Sequence, residues 1–222
     1  MNDPFASAFP LRAGRAHEVT GQGATAFAAI VCGLGTKADQ RPSLWLVEDW
    51  RADLINPVGL ACFCDPSRLL LVRVPDQKSM LACAEEALRS GAVSCVVTEL
   101  PRALSFTAGR RLQLAAEEGK STGILMIGEG MGNNAAESRW HCAPLFSPHL
   151  HQIKTVSSLS HSSDSTLQRW QLIKNKSGTL GCWDIIWDAE TRRVIVVSEV
   201  GERPYSAAQG RGRALCSHVA AE

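Results

Sequence analysis

Nothing in the sequence approaches the ~20 consecutive apolar residues of a membrane span; runs such as Leu69-Leu70-Leu71-Val72 and Cys95-Val96-Val97 are of strand length. Charge of one sign is also missing. The 23 Lys and Arg face 22 Asp and Glu, a formal net charge of +1, so no overall field draws the chain onto nucleic acid or an anionic membrane. Any DNA contact must come from a local patch. Met1 to Arg15 shows no basic segment followed by an apolar one, which predicts no secretory signal and a cytoplasmic protein. The eight cysteines lack zinc spacing: Cys62-x-Cys64 is the only close pair, with no second pair or nearby His to complete four ligands. Cys32, Cys83 and Cys95 lie in apolar segments and read as buried reduced thiols, and His149-x-His151 lies in a polar stretch. No metal site is expected.

What is present is a 222-residue chain, 45% hydrophobic and 20% charged, which excludes disorder throughout. From Ala16 to about Ile127, short β-rich runs alternate with helical patterns, the signature of a parallel sheet with crossover helices. His17-Glu18-Val19, Ser43 to Val47, Leu69 to Val74, Ala92 to Thr98 and Gly123 to Ile127 are the expected strands. Between them, Ala24 to Leu34 suits a buried helix, and Asn56-Pro57 opens a short one by capping. Met80, Leu81, Ala84, Ala87 and Leu88 recur at helical spacing up to Gly91, and Thr107 to Glu118 continues to Gly119. Beyond a glycine- and asparagine-rich segment, Gly128 to Glu137, expected to be a mobile loop, a strand resumes at Trp140.

The expected organisation is a flexible segment (1–15), an α/β core (16–147), a Ser-rich linker (148–166), an antiparallel hairpin or meander (167–200) and a disordered tail (201–222). The fold class is α/β, a largely parallel sheet flanked by helices with a C-terminal antiparallel addition.

An open α/β sheet binds its ligand at the carboxyl ends of the strands, so the turn Gly21-Gln22-Gly23 is where a phosphate would sit. A phosphate loop needs G-x-x-x-x-G-K-[S/T], with amides around the phosphates, lysine on the outer oxygens and a hydroxyl for Mg²⁺. Here the second glycine is misplaced and no lysine occurs before Lys37; Thr25 alone offers a hydroxyl. Gly21 and Gly23 therefore read as a tight structural turn. G-x-G without a third glycine also disfavours a dinucleotide-binding oxidoreductase, and no hydrolase constellation is signalled.

The order of elements, with Gly21 opening the first helix, Leu44 to Val47, Asp65 to Val72 and Arg89-Ser90-Gly91-Ala92-Val93 running into Cys95-Val96-Val97, resembles the ATPase core of the RecA recombinase. A narrower resemblance rests on His17-Glu18-Val19, Leu44-Trp45-Leu46, Arg110-Arg111-Leu112-Gln113-Leu114-Ala115-Ala116-Glu117, Ser138-Arg139-Trp140 and Trp183-Asp184. These look like the ImuA family, RecA-related proteins of the bacterial damage-inducible mutagenesis cassette. The resemblance implies a RecA-like core, no cofactor and a non-catalytic accessory role in SOS-induced translesion synthesis. It implies partners too: an ImuB-like, Y-family polymerase homologue, an error-prone replicative polymerase homologue and RecA. Glu99 would stand where RecA-like proteins manage the nucleotide's magnesium, and Glu48 or Asp49 near their water-activating glutamate. The alternative is a weak ATP-binding or ATP-hydrolysing protein using the degenerate site Gly21, Gly23, Thr25 and Glu99.

Four cations are candidates for weak single-stranded DNA or partner contact: Arg110, Arg111, Lys120 and Arg139. Arg110 and Arg111 fall in the first turns of their helix, where the macrodipole disfavours cations by ~0.3–1 kcal/mol, so helix stability does not explain them. Their alternatives are stems covering apolar surface or pairing with a neighbouring element. The Gly128 to Glu137 loop matches a DNA-contacting loop of RecA-like proteins, yet carries Glu129 and Glu137 and no cation. Trp170, Trp183 and Trp187 are either core or an aromatic interface, and Trp50 is placed to cover the crevice.

Overall fold

A computed structural model describes residues 4–53, 55–145, 167–178 and 180–199. The expected linker and tail lie outside the described residues. Among the described residues nine strands form one sheet: β1 (Ala16–Thr20), β2 (Ser43–Glu48), β3 (Leu69–Val74), β4 (Cys95–Glu99), β5 (Thr122–Met126), β6 (Ser138–Pro144), β7 (Leu167–Asn175), β8 (Gly181–Asp188) and β9 (Arg193–Glu199), ordered β3-β2-β4-β5-β1-β6-β7-β8-β9. The first six run parallel; β6 to β9 pair antiparallel. The α/β class with its antiparallel addition is as the sequence predicts, with β6 joining the parallel set.

Both sheet faces are covered at β1 and β2, which are buried along their whole length, whereas the edge strand β3 leaves Leu70 and Leu71 exposed. Alternation divides each strand between two cores. Trp45 and Val47 of β2 join one cluster with α2 (Ala24–Asp39), while Leu44 and Leu46 join the other with α4 (Gln77–Ser90) and α5 (Phe106–Gly119). The caps follow the sequence. Asn56 accepts from the Val58 amide to start α3 (Pro57–Leu60), and Asp76 accepts from the Ser79 amide at 2.7 Å to start α4. Gly91, at φ 66°, stops α4 as expected, but the left-handed residue after α5 is Lys120, at φ 51°. Gly119 acts through its small size instead. A Cβ there would lie 1.9 Å from the Leu88 carbonyl oxygen, so the bare backbone lets α5 approach the end of α4.

The N-terminal segment is packed from Pro4 onward, contrary to the expected flexible arm. Helix α1 (Pro4–Ala8) and the residues after it bury Phe5 and Phe9 beside α2 and β6 to β8. Phe9 meets Trp170 edge-on at 5.1 Å between centroids, Phe27 meets Trp170 at 4.7 Å, and Phe5 meets Trp183 at 5.3 Å. Trp170, Trp183 and Trp187 are at most 2% exposed, which corrects the aromatic-interface reading: they are core. The indole N–H of Trp170 donates to Gln168 and that of Trp187 to the Cys62 carbonyl at 2.8 Å, so their polar atoms are satisfied inside.

Candidate functional site

The carboxyl ends of β1, β2, β4 and β5 open on a crevice of about 700 Å³, lined by Gly21, Glu48, Trp50, Arg51, Asp53 and Glu99 among others. This is where the strand polarity places a ligand, and the residue types there are acidic and aromatic. Arg51 is the only cation among the lining residues.

Both oxygens of Glu99 are engaged. Oε1 accepts from the Trp45 indole at 2.7 Å and Oε2 from the Arg51 guanidinium, which also lies 3.6 Å from Asp53. Glu48, 7% exposed, accepts from the Trp50 indole. The Trp50 side chain is 69% exposed and borders the crevice. Arg73 donates to the backbone carbonyls of Asp49 and Arg51, fixing the segment that carries Trp50 and Arg51 against the end of β3. Asp49 is not among the lining residues.

The glycine turn is shaped by its neighbour β6. Gly21 sits at φ 91°, and a Cβ on it would lie 2.3 Å from the Cys142 carbonyl oxygen. The Gly23 amide donates to that oxygen at 2.8 Å, and the Ala24 amide turns back to Gly21. Gly21 and Gly23 thus permit close passage of a strand, and the Gly23 amide that would face a phosphate is already spent. Thr25 is exposed on the first turn of α2 and does not line the crevice. Of the four residues assigned to the degenerate site, Gly21 and Glu99 meet in the crevice, whereas Thr25 does not.

A second polar cluster lies between β1 and the 128–137 segment. Glu18, 1% exposed, receives the Arg139 guanidinium at 2.7 Å and the Asn133 amide at 2.7 Å. Lys174 donates to the carbonyls of Asn133, Asn134 and Ala136, and Lys176 to that of Ala135 at 2.6 Å. Burial lowers the Lys174 pKa, with the Lys176 charge acting in the same direction. The segment expected to be mobile is therefore tied to β7, with Asn133, Ala135, Ala136 and Glu137 buried. A Cβ on Gly132 would overlap the Arg139 guanidinium, 1.9 Å from Cζ, so a missing side chain gives this arginine its place.

The four candidate cations do not form one patch. Arg139 is spent on Glu18. Arg111 pairs with Glu85 of α4 at 2.6 Å, and Arg110, exposed, makes no ion pair among the described residues. Lys120 follows the far end of α5, ~14 Å along the axis from the two arginines. Among the described residues no three metal-ligating side chains converge. Cys32, Cys64, Cys95 and Cys142 are buried free thiols, Cys83 and Cys182 half-buried, and Cys62 exposed. Burial pushes the Cys64 thiol up to about 12.

Sequence reasoning missed Arg51, Trp45 and Glu18. The available signal was Glu48-Asp49-Trp50-Arg51 directly after a buried strand, where charged and aromatic residues are placed at the ligand end of the sheet. No helix of the described residues is long and apolar enough to cross a membrane.

The sequence matches no protein-family model. It is similar to Protein ImuA of Caulobacter vibrioides, in both strain NA1000 / CB15N and strain ATCC 19089 / CIP 103742 / CB 15, at 34% identity over 147 residues. The match takes in 58% of this chain and 59% of each relative, so the chain spans well under two thirds of the length of the curated relatives it matches.

Proposed function

We propose that the chain is a member of the ImuA family and, on that premise, a non-catalytic accessory protein of damage-inducible mutagenesis. On this reading it acts in SOS-induced, error-prone translesion synthesis through contacts with an ImuB-like, Y-family polymerase homologue and with RecA. Direct DNA contact is at most weak. The observation that carries the non-catalytic part is Glu99: its two oxygens are held by Trp45 and Arg51, in a crevice with no other lining cation. A triphosphate brings about four negative charges, about two of them still uncompensated once Mg²⁺ is bound, and these need several preorganised donors. Here the Gly23 amide serves β6 and the single guanidinium serves two carboxylates.

The size of the crevice, about 700 Å³, is what favours the second reading, a weak ATP-binding or ATP-hydrolysing protein with a degenerate phosphate loop. The test of the first is binding of the purified chain to the ImuB homologue and to RecA of the same organism, with and without ATP. Association independent of nucleotide supports an accessory role; association that requires hydrolysable ATP contradicts it.

A further inference from the structure

Helices α4 and α5 lie side by side, and their N-terminal halves and the β4–α5 loop line a groove of about 580 Å³. Its floor is apolar: Leu81 and Ala82 from α4, Ala103 from the preceding loop, Ala108 and Leu112 from α5. One wall is built by the β4–α5 loop, held down by Gln77. This side chain, buried at the start of α4, donates from Nε2 to the Arg102 carbonyl at 3.1 Å and accepts the Arg102 amide at 3.1 Å. The clamp leaves the Arg102 side chain exposed at the rim, with Lys78 also exposed and Arg111 66% exposed.

The charge of this groove is one-sided. Its only lining carboxylate, Glu85, is 11% exposed and already carries Arg89 at 2.8 Å as well as Arg111 at 2.6 Å. Glu85 thus holds the arginines in place without presenting a negative surface. A cationic rim of Lys78, Arg102 and Arg111 around an apolar floor marks an interaction surface rather than a solvated face.

We infer that the α4–α5 groove is a docking site for an acidic segment of a protein partner, carrying leucine or phenylalanine side chains that enter between Leu81 and Leu112. Nucleic acid fits this groove less well, because no aromatic ring lines it for bases to stack on and the floor offers an apolar slot in place of a track of phosphate contacts. The inference rests on the accessory reading above and supplies one surface through which it operates.

The probe is a short fluorescein-labelled peptide of Asp and Glu interspersed with Leu and Phe, followed by anisotropy against the full chain. Saturable binding is expected, weakened about tenfold by Lys78→Glu with Arg102→Glu and similarly by Ala82→Gln, which fills the floor. All three positions are exposed, and a matching urea midpoint for each variant establishes that the fold is intact. Replacing the Leu and Phe of the peptide by Ser abolishes binding. Affinity unchanged in every variant, equal binding of an oligoglutamate peptide, or displacement of the peptide by an oligothymidylate of the same charge would each overturn the assignment. So would sedimentation showing that a second copy of the chain occupies the groove. Such a failure leaves the accessory reading standing, because nucleotide binding and partner association read the crevice and the whole surface rather than this groove.

Discussion

Gly21→Ala separates a glycine kept for the fold from a glycine kept for a ligand. At φ 91° an alanine bears the left-handed penalty, ~1–2 kcal/mol, whatever surrounds it. Its methyl would also sit 2.3 Å from the Cys142 carbonyl oxygen, which belongs to β6 and cannot turn away as a side-chain tip would. Displacing that strand adds an overpacking cost of ~1–3 kcal/mol. The sum, ~2–5 kcal/mol, is a large part of the ~5–15 kcal/mol that separates folded from unfolded domains. Gly130→Ala is the matched control, since Gly130 has φ 75° and nothing within 4 Å of its would-be Cβ, leaving only the dihedral cost. In urea unfolding followed by tryptophan fluorescence, with a slope of ~1–3 kcal/mol per molar, Gly21→Ala should lower the midpoint by roughly 1–2 M and clearly more than Gly130→Ala. Equal midpoints for the two variants would refute the account of the turn as a passage for β6.

Other outcomes follow from the two cores and the tied segment. Trp170→Ala, which removes the ring that Phe9, Phe27 and Trp140 surround, should cost ~3–5 kcal/mol by the same assay; a surface tryptophan would cost almost nothing. His17 is buried and neutral, with its Nε2–H donating to the Arg12 carbonyl at 3.0 Å and Nδ1 accepting from the Ser138 hydroxyl at 2.6 Å. Burial, outweighing the Arg12 carbonyl and the Glu137 charge, holds its pKa at about 4 against 6.5 for a free side chain. Between those two values the unfolded chain takes up the proton and the folded one does not, so stability falls as pH drops from 6.5 to 4, by about 3 kcal/mol in all. Urea midpoints across that window should show the loss in the wild type and a shallower loss in His17→Gln; parallel curves would contradict the assignment. Lys174→Ala removes three carbonyl contacts from the 128–137 segment and should speed its amide hydrogen exchange while leaving β2 and β4 protected, whereas unchanged exchange would mean the lysine does not hold the segment.

Local patterns in the sequence carried the element types well because each rests on nearby residues. Asn56, Asp76 and the periodic Met80 to Leu88 face define their helices within a few positions. The burial of the tryptophans was also open to sequence reading: Trp183, Ile185 and Trp187 alternate on one face of β8, opposite Trp170 and Gln168 of β7. Leaving an aromatic interface open beside the core reading gave weight to residue type over that period of two. Other features depend on contacts between distant segments. Gly119 reads as a helix stop, yet its smallness serves the Leu88 carbonyl thirty-one positions earlier. A glycine- and asparagine-rich segment reads as mobile until Lys174 and Lys176, some forty residues on, are seen to donate into its carbonyls. In the crevice, the missing lysine could be read directly, while the engagement of Glu99 by Trp45 and Arg51 required two segments some fifty residues apart to be brought together.

In this crevice Glu99 and Asp53 share the lone guanidinium and Glu48 holds the Trp50 indole, leaving too few donors for a nucleotide. Isothermal titration calorimetry of the full chain with millimolar ATP and Mg²⁺ measures that directly. The account predicts no saturable heat, in the wild type as in Glu99→Gln; a binding isotherm that saturates in the wild type and is lost or weakened in Glu99→Gln would contradict it.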